Sequence, residues 1–131
     1  MQNHQYDPLY LFIDGDWIEA GNRDTVAVIN PATEATIGRL PLATAADLER
    51  ALSATRSGFD IWRRTVPAER ARIMKNAAAL MRERAEHIAS LMTLEEGKPL
   101  AESRDEVLRA ADYFEWFAEE LVHRMMAHGG D

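Results

Sequence analysis

Residues 93–102 read Thr93-Leu94-Glu95-Glu96-Gly97-Lys98-Pro99-Leu100-Ala101-Glu102, and this run decides how the second half of the chain is built. Gly97 ends one helix, because glycine reaches the left-handed conformation that closes a helix without a Cβ penalty. Pro99 starts the next almost at once, at a position where its missing N–H costs nothing. Upstream, Ile73, Met74, Ala77, Leu80, Met81, Ile88, Leu91 and Met92 form an apolar stripe behind Pro67, another first-turn proline. So long a stripe is expected to bend, and the charged region from Arg82 to Glu86 is the expected break. Downstream, Leu100, Val107, Leu108, Ala111, Phe114, Phe117 with Ala118, Leu121 and Met125 form a further stripe, which Gly129-Gly130 would terminate. Earlier, Thr44-Ala45-Ala46-Asp47 sets a hydroxyl three residues before a carboxylate, close to a capping box. Leu48, Ala51, Leu52, Phe59 and Trp62 then keep helical spacing on one expected buried face. Three long amphipathic helices are predicted.

The segment from Leu11 to about Leu42 has a different rhythm. Leu11-Phe12-Ile13 and Asp16-Trp17-Ile18 flank Asp14-Gly15, a two-residue hairpin signal of type I′. Thr25-Val26-Ala27-Val28-Ile29 is strand-like, Asn30-Pro31-Ala32-Thr33 turns the chain, and Ala35 to Leu40 returns before Pro41. Short antiparallel strands followed by helices make an α+β pattern.

The chain has 131 residues, a length that suits one domain. With 22 acidic against 15 basic residues and a net charge of −7, no large cationic surface is available. Nucleic acid and anionic membranes are therefore poor partners. The absence of cysteine excludes disulfides, thiolate zinc sites and a cysteine nucleophile within this chain. Residues 1–10 carry neither a basic start nor an apolar run, so a secretory signal is not expected and a cytoplasmic location is.

Few residues suggest chemistry directly. His4, His87, His123 and His128 are scattered and lack metal-ligand spacing. Glu95-Glu96, Glu102, Asp105-Glu106 and Glu119-Glu120 read as solvated helix faces. No glycine-rich phosphate loop or nucleophile motif occurs. Trp17, Trp62 and Trp116 read as core anchors.

Several segments, in order, resemble the amino-terminal portion of an NAD(P)-dependent aldehyde dehydrogenase. Phe12-Ile13-Asp14-Gly15-Asp16-Trp17 is similar to that family's opening hairpin, and Val28-Ile29-Asn30-Pro31-Ala32-Thr33 to its N-P-A-T turn. Glu34-Ala35 departs from the Gly-Glu that many members carry after it. Phe59 with Trp62-Arg63 matches a recurrent pair, and the quoted run from Thr93 is close to T-L-E-x-G-K-P-x-x-E. Phe114-Glu115-Trp116-Phe117-Ala118-Glu119-Glu120 looks most like the succinate-semialdehyde dehydrogenase branch.

The resemblance implies that residues 1–10 form a tail and 11–131 an incomplete part of the family's α/β cofactor-binding domain. It implies oxidation of an aldehyde to a carboxylate with NAD or NADP, through a cysteine thiolate and a glutamate-activated water. Those groups and the dinucleotide-binding residues lie downstream in the family, so no catalytic or cofactor-binding residue is assigned here. This chain alone is expected to be inactive and to bind neither cofactor tightly. The resemblance also implies a structural Na⁺ or K⁺ held by the carbonyl of Ile29, with Val28 as a further candidate, and by the Glu95 carboxylate. The helix from Pro99 to Met126 would border the substrate passage, so that residues 101–105 would influence aldehyde choice without a catalytic role. Exposed helix faces are expected to drive self-association or to meet the remainder of the enzyme. The alternative is a stand-alone, non-enzymatic helical interaction module or a fragment that complements a separately encoded remainder of the enzyme.

Overall fold

The computed structural model describes residues 6–127, with Met125 and Met126 as backbone only. The order is β1 (Leu11–Ile13), β2 (Asp16–Ile18), β3 (Thr25–Ile29), β4 (Thr36–Pro41), α1 (Ala45–Trp62), α2 (Pro67–Glu83), α3 (Ala85–Glu96) and α4 (Leu100–Ala127). Two compact units share the chain. One takes residues up to Ile61 together with Leu94–Gly97, and the other takes Trp62–Thr93 and the residues from Lys98 on.

In the first unit β1 and β2 form one antiparallel ribbon, and β3 and β4 another. Asp14 and Gly15 have φ of 55° and 85°, the two positive angles that a type I′ hairpin needs. Phe12 sits opposite Trp17 in the register, and their rings lie 4.6 Å apart. In the second ribbon Ile29 pairs with Thr36 but Val28 with Gly38, so Ile37 is the extra residue of a bulge. The connecting turn is closed by the Asn30 side chain, which accepts the Ala32 N–H at 2.9 Å. Glu34 takes a φ of 58° there, an unusual conformation for a side chain other than glycine.

The entrance to α1 follows the capping-box expectation. The Thr44 N–H and hydroxyl donate to Asp47 Oδ2 at 2.8 and 2.6 Å, and the Asp47 N–H returns a bond to Thr44 Oγ1 at 3.2 Å. Arg23 then clamps the same carboxylate with two bonds, at 2.5 and 3.2 Å. Asp47 is thereby buried yet fully paired.

The apolar face expected to bury α1 is instead open. Leu48 is 57% and Phe59 64% exposed, and Leu52 and Trp62 are exposed as well. Trp17 and Trp116, read as core anchors, are 71% and 58% exposed. The buried side chains of the first unit are Ile13, Pro41 and Asp47. Two short ribbons beside one helix present too little apolar surface to cover a full helical stripe.

In the second unit α2 packs on α4. Ala71 and Ala78 of α2, and Ala111 and Ala118 of α4, repeat every seven residues and are buried. Val107 packs with Ala85 and Ala89 of α3, beside Ile88, Met92 and Leu108. The bulkier stripe residues Ile73, Leu80, Phe114 and Phe117 are exposed. The expected break is real. Arg84 leaves helical geometry at φ −99°, ψ 11°, while its N–H still reaches the Leu80 carbonyl at 3.0 Å. The second predicted helix is therefore two, and among the described residues four helices stand where three were expected. The Gly129-Gly130 stop lies outside the described residues.

Charges align these helices. Arg82 donates to Asp112 and Glu115, both at 2.7 Å, and Lys75 to Glu119 at 3.5 Å. Glu86 on α3 holds Arg104 on α4. The hydroxyls of Thr93 and the fully buried Ser103 pair at 3.0 Å. The exposed ion pairs among them set register more than they stabilise.

The Asp47 arrangement generates a pH prediction. The Thr44 bonds, then the Arg23 pair, lower its pKa from 3.8 to about 2. A depressed carboxylate pKa stabilises the fold above the unfolded value and loses that contribution as pH falls through the folded value. Wild type is therefore expected to melt above Asp47→Asn near neutral pH. The gap should close between about pH 4 and pH 2. Thermal melts across that range check this, and a gap that persists at pH 2 contradicts it.

Candidate functional site

Glu95 is the one acid that the sequence singled out, and it lies at the end of α3. Gly97 follows at φ +75°, which reverses the chain. A Cβ built on Gly97 would stand 2.8 Å from Pro31 Cγ, so a side chain there would collide with the Asn30-Pro31 turn. The fold thus brings that turn and the Glu95–Gly97 corner together within the first unit. Val28 is partly buried and Ile29 is 44% exposed, at the end of β3 beside the same turn.

Glu95 has a partner that sequence reading missed. The Tyr6 hydroxyl donates to Glu95 Oε1 at 2.5 Å. Burial, followed by the bond to Glu95 and its charge, pushes the Tyr6 pKa up to about 12, so the hydroxyl keeps its proton. Gly38 held the available signal. A glycine inside a strand marks a close approach, and here a Cβ would meet the Tyr6 ring at 2.6 Å.

The donor set expected from the sequence at this corner is one carboxylate with backbone carbonyls. Among the described residues no group of three or more His, Cys, Asp or Glu forms a metal cluster. Hard oxygen donors in small number and of low charge suit a weakly held monovalent cation rather than zinc. His87 and His123 are exposed on separate helices, whereas His4 and His128 lie outside the described residues. The acids on α4 are largely tied to cations. Glu106, for example, accepts from Lys98 at 2.8 Å, a bond that lowers its pKa. Of residues 101–105, Ser103 is buried and the other four are exposed.

Dinucleotide phosphates favour open helix amino ends after parallel strands. Both ribbons here are antiparallel, and the amino end of α1 is closed by the reciprocal bonds of Thr44 and Asp47. On α4 of the second unit, Arg109, Asp112, Tyr113, Trp116 and Phe117 line an open apolar groove of about 530 Å³. A neighbouring groove of about 380 Å³ reaches Met74 and Leu121. The edge-on rings of Trp116 and Phe117, with centroids 4.8 Å apart, line both. This face can bury apolar surface, but it holds no nucleophile.

Residues 17–129 match the aldehyde dehydrogenase family. The chain is 44% identical over 109 residues to a 3-sulfolactaldehyde dehydrogenase of Pseudomonas putida, covering 83% of this chain and 22% of that protein. It is 42% identical over 108 residues to the NADP(+) succinate-semialdehyde dehydrogenase GabD of Escherichia coli, covering 82% of this chain and 22% of that one. A crystal structure of an aldehyde dehydrogenase from Brucella melitensis biovar abortus superposes with a TM-score of 0.81 at 38% identity. It covers 92% of this chain and 24% of the other. The chain spans less than a quarter of the length of these relatives. Ribbons, corner and helices are those of the family's amino-terminal segment, and the chain belongs to the aldehyde dehydrogenase family.

Proposed function

We propose that this chain is the amino-terminal portion of an NAD(P)-dependent dehydrogenase for aldehydes with an anionic tail, with succinate semialdehyde as the leading substrate. The unbroken family match over residues 17–129 carries this reading. The substrate class follows from two relatives whose named substrates end in a sulfonate and a carboxylate. A cytoplasmic location goes with it. No helix among the described residues is long and apolar enough to cross a membrane.

The contribution of these residues is scaffolding. Aldehyde oxidation by covalent catalysis needs a nucleophile, and the sequence contains no cysteine. Its own groups position α3 and α4, leaving nucleophile and hydride acceptor to other sequence. An association reading is favoured by one observation: Tyr113, Trp116 and Phe117 stand exposed together along α4. Contiguous apolar surface of this kind is covered by a partner, which is a second copy or the remainder of the enzyme. At the Asn30-Pro31 corner, Glu95 with the carbonyls of Ile29 and Val28 holds a structural Na⁺ or K⁺.

The purified 131-residue chain, mixed with succinate semialdehyde and NAD or NADP, is expected to give no rise in absorbance from the reduced cofactor. A steady rise contradicts the scaffold reading. For the cation, wild type is expected to melt higher in KCl than in an organic chloride of equal ionic strength. Glu95→Ala should lose that difference, and a variant responding as wild type does counts against the site.

A further inference from the structure

One stripe of α4 carries the exposed rings together with a regular order of charge. At 3.6 residues per turn, Asp105, Arg109, Tyr113, Trp116, Glu120 and Arg124 fall within about 100° of the helix circumference. Val107, Ala111 and Ala118 are buried on the opposite side. Tyr113, Trp116 and the bordering Phe117 are each more than half exposed, and they line the apolar groove of α4. From the amino end the stripe therefore runs acid, base, rings, acid, base.

That order is self-complementary. Reversed, it runs base, acid, rings, base, acid, so an antiparallel copy of α4 meets each charge with its opposite. A parallel copy meets like with like. A two-fold axis passing between Phe114 and Glu115 sets Arg109 against Glu120 of the second copy and Asp105 against its Arg124. The same axis sets Tyr113 against Trp116 of the second copy, so that the rings fill the centre. The charges are available for this. The side chains of Asp105 and Arg109 make no hydrogen bond among the described residues. Arg124 donates to Oε1 of Glu120 at 2.6 Å, and Oε2 can accept from a second cation. Asp112, at the edge of the same groove, is already neutralised by Arg82. We propose that a second copy of this chain covers the aromatic stripe of α4, in an antiparallel two-fold contact registered by Arg109 and Glu120. A self-complementary patch of this kind closes at a dimer. One helical stripe makes a small interface, and its dissociation constant is expected in the micromolar range. The proposal rests on the association reading above and commits it to the second copy.

The full chain, Arg109→Glu and Glu120→Arg are followed by sedimentation equilibrium, with circular dichroism to check that helix content is kept. Wild type should be a monomer–dimer equilibrium. Each variant sets like charges together at both symmetric contacts, and should weaken the dimer about tenfold or more. Mixed in equal amounts, the two variants restore opposite charges at both contacts and should associate one to one, near wild-type affinity. A wild type that dimerises while each variant alone keeps its affinity overturns the register and leaves the association reading standing. Weakened variants that fail to associate on mixing overturn the two-fold geometry. A wild type still monomeric at millimolar concentration overturns the second copy altogether, and coverage then falls to the remainder of the enzyme.

Discussion

The first unit depends on one close approach, the Asn30-Pro31 turn against Gly97. The 2.8 Å available between Pro31 Cγ and a Cβ position on Gly97 admits hydrogen and nothing larger. The same glycine supplies the φ of +75° that ends α3. One residue thus satisfies two demands, and the rest follows from it. The end of α3 is brought to the β3–β4 ribbon, Glu95 comes within reach of Tyr6, and α4 can start at Leu100, three residues later. Replacing Gly97 would add a steric clash to the strain of a left-handed side chain.

The second unit answers a different constraint. Along the α2–α4 pair the buried positions are small, Ala71 and Ala78 on one helix and Ala111 and Ala118 on the other. Close packing of this kind gains dispersion contacts from backbone and Cβ atoms. It also leaves the larger side chains outward, ready for another surface. The exposed Trp116 and Phe117 are thus a consequence of the alanine seam rather than a defect of it.

Local punctuation was legible in the sequence because its causes are local. Asp14-Gly15, the Thr44 to Asp47 cap, the break near Arg84 and the Gly97 stop each follow from the conformational needs of a few neighbouring residues. Burial was less legible. Periodicity finds the apolar face of a helix but not what covers it, so Leu48 and Phe59 keep perfect helical spacing and are nevertheless exposed. The family and Glu95 were readable from motifs, whereas Tyr6 was not, since its partner lies 89 residues away and no motif joins them. The buried Arg23–Asp47 pair was hidden for a similar reason, because Arg23 sits between β2 and β3 without any pattern around it.

Scaffold and chemistry are separable here in physical terms. The described residues supply a corner, a helical seam and an apolar face, while the amino end of α1 carries a carboxylate where a phosphate would be repelled. The most direct measurement is a titration of the purified chain with NADPH, followed through quenching of its tryptophan fluorescence. The expected result is a linear, unsaturable change. Saturable quenching at micromolar NADPH, reversed by excess NADP, would contradict the separation.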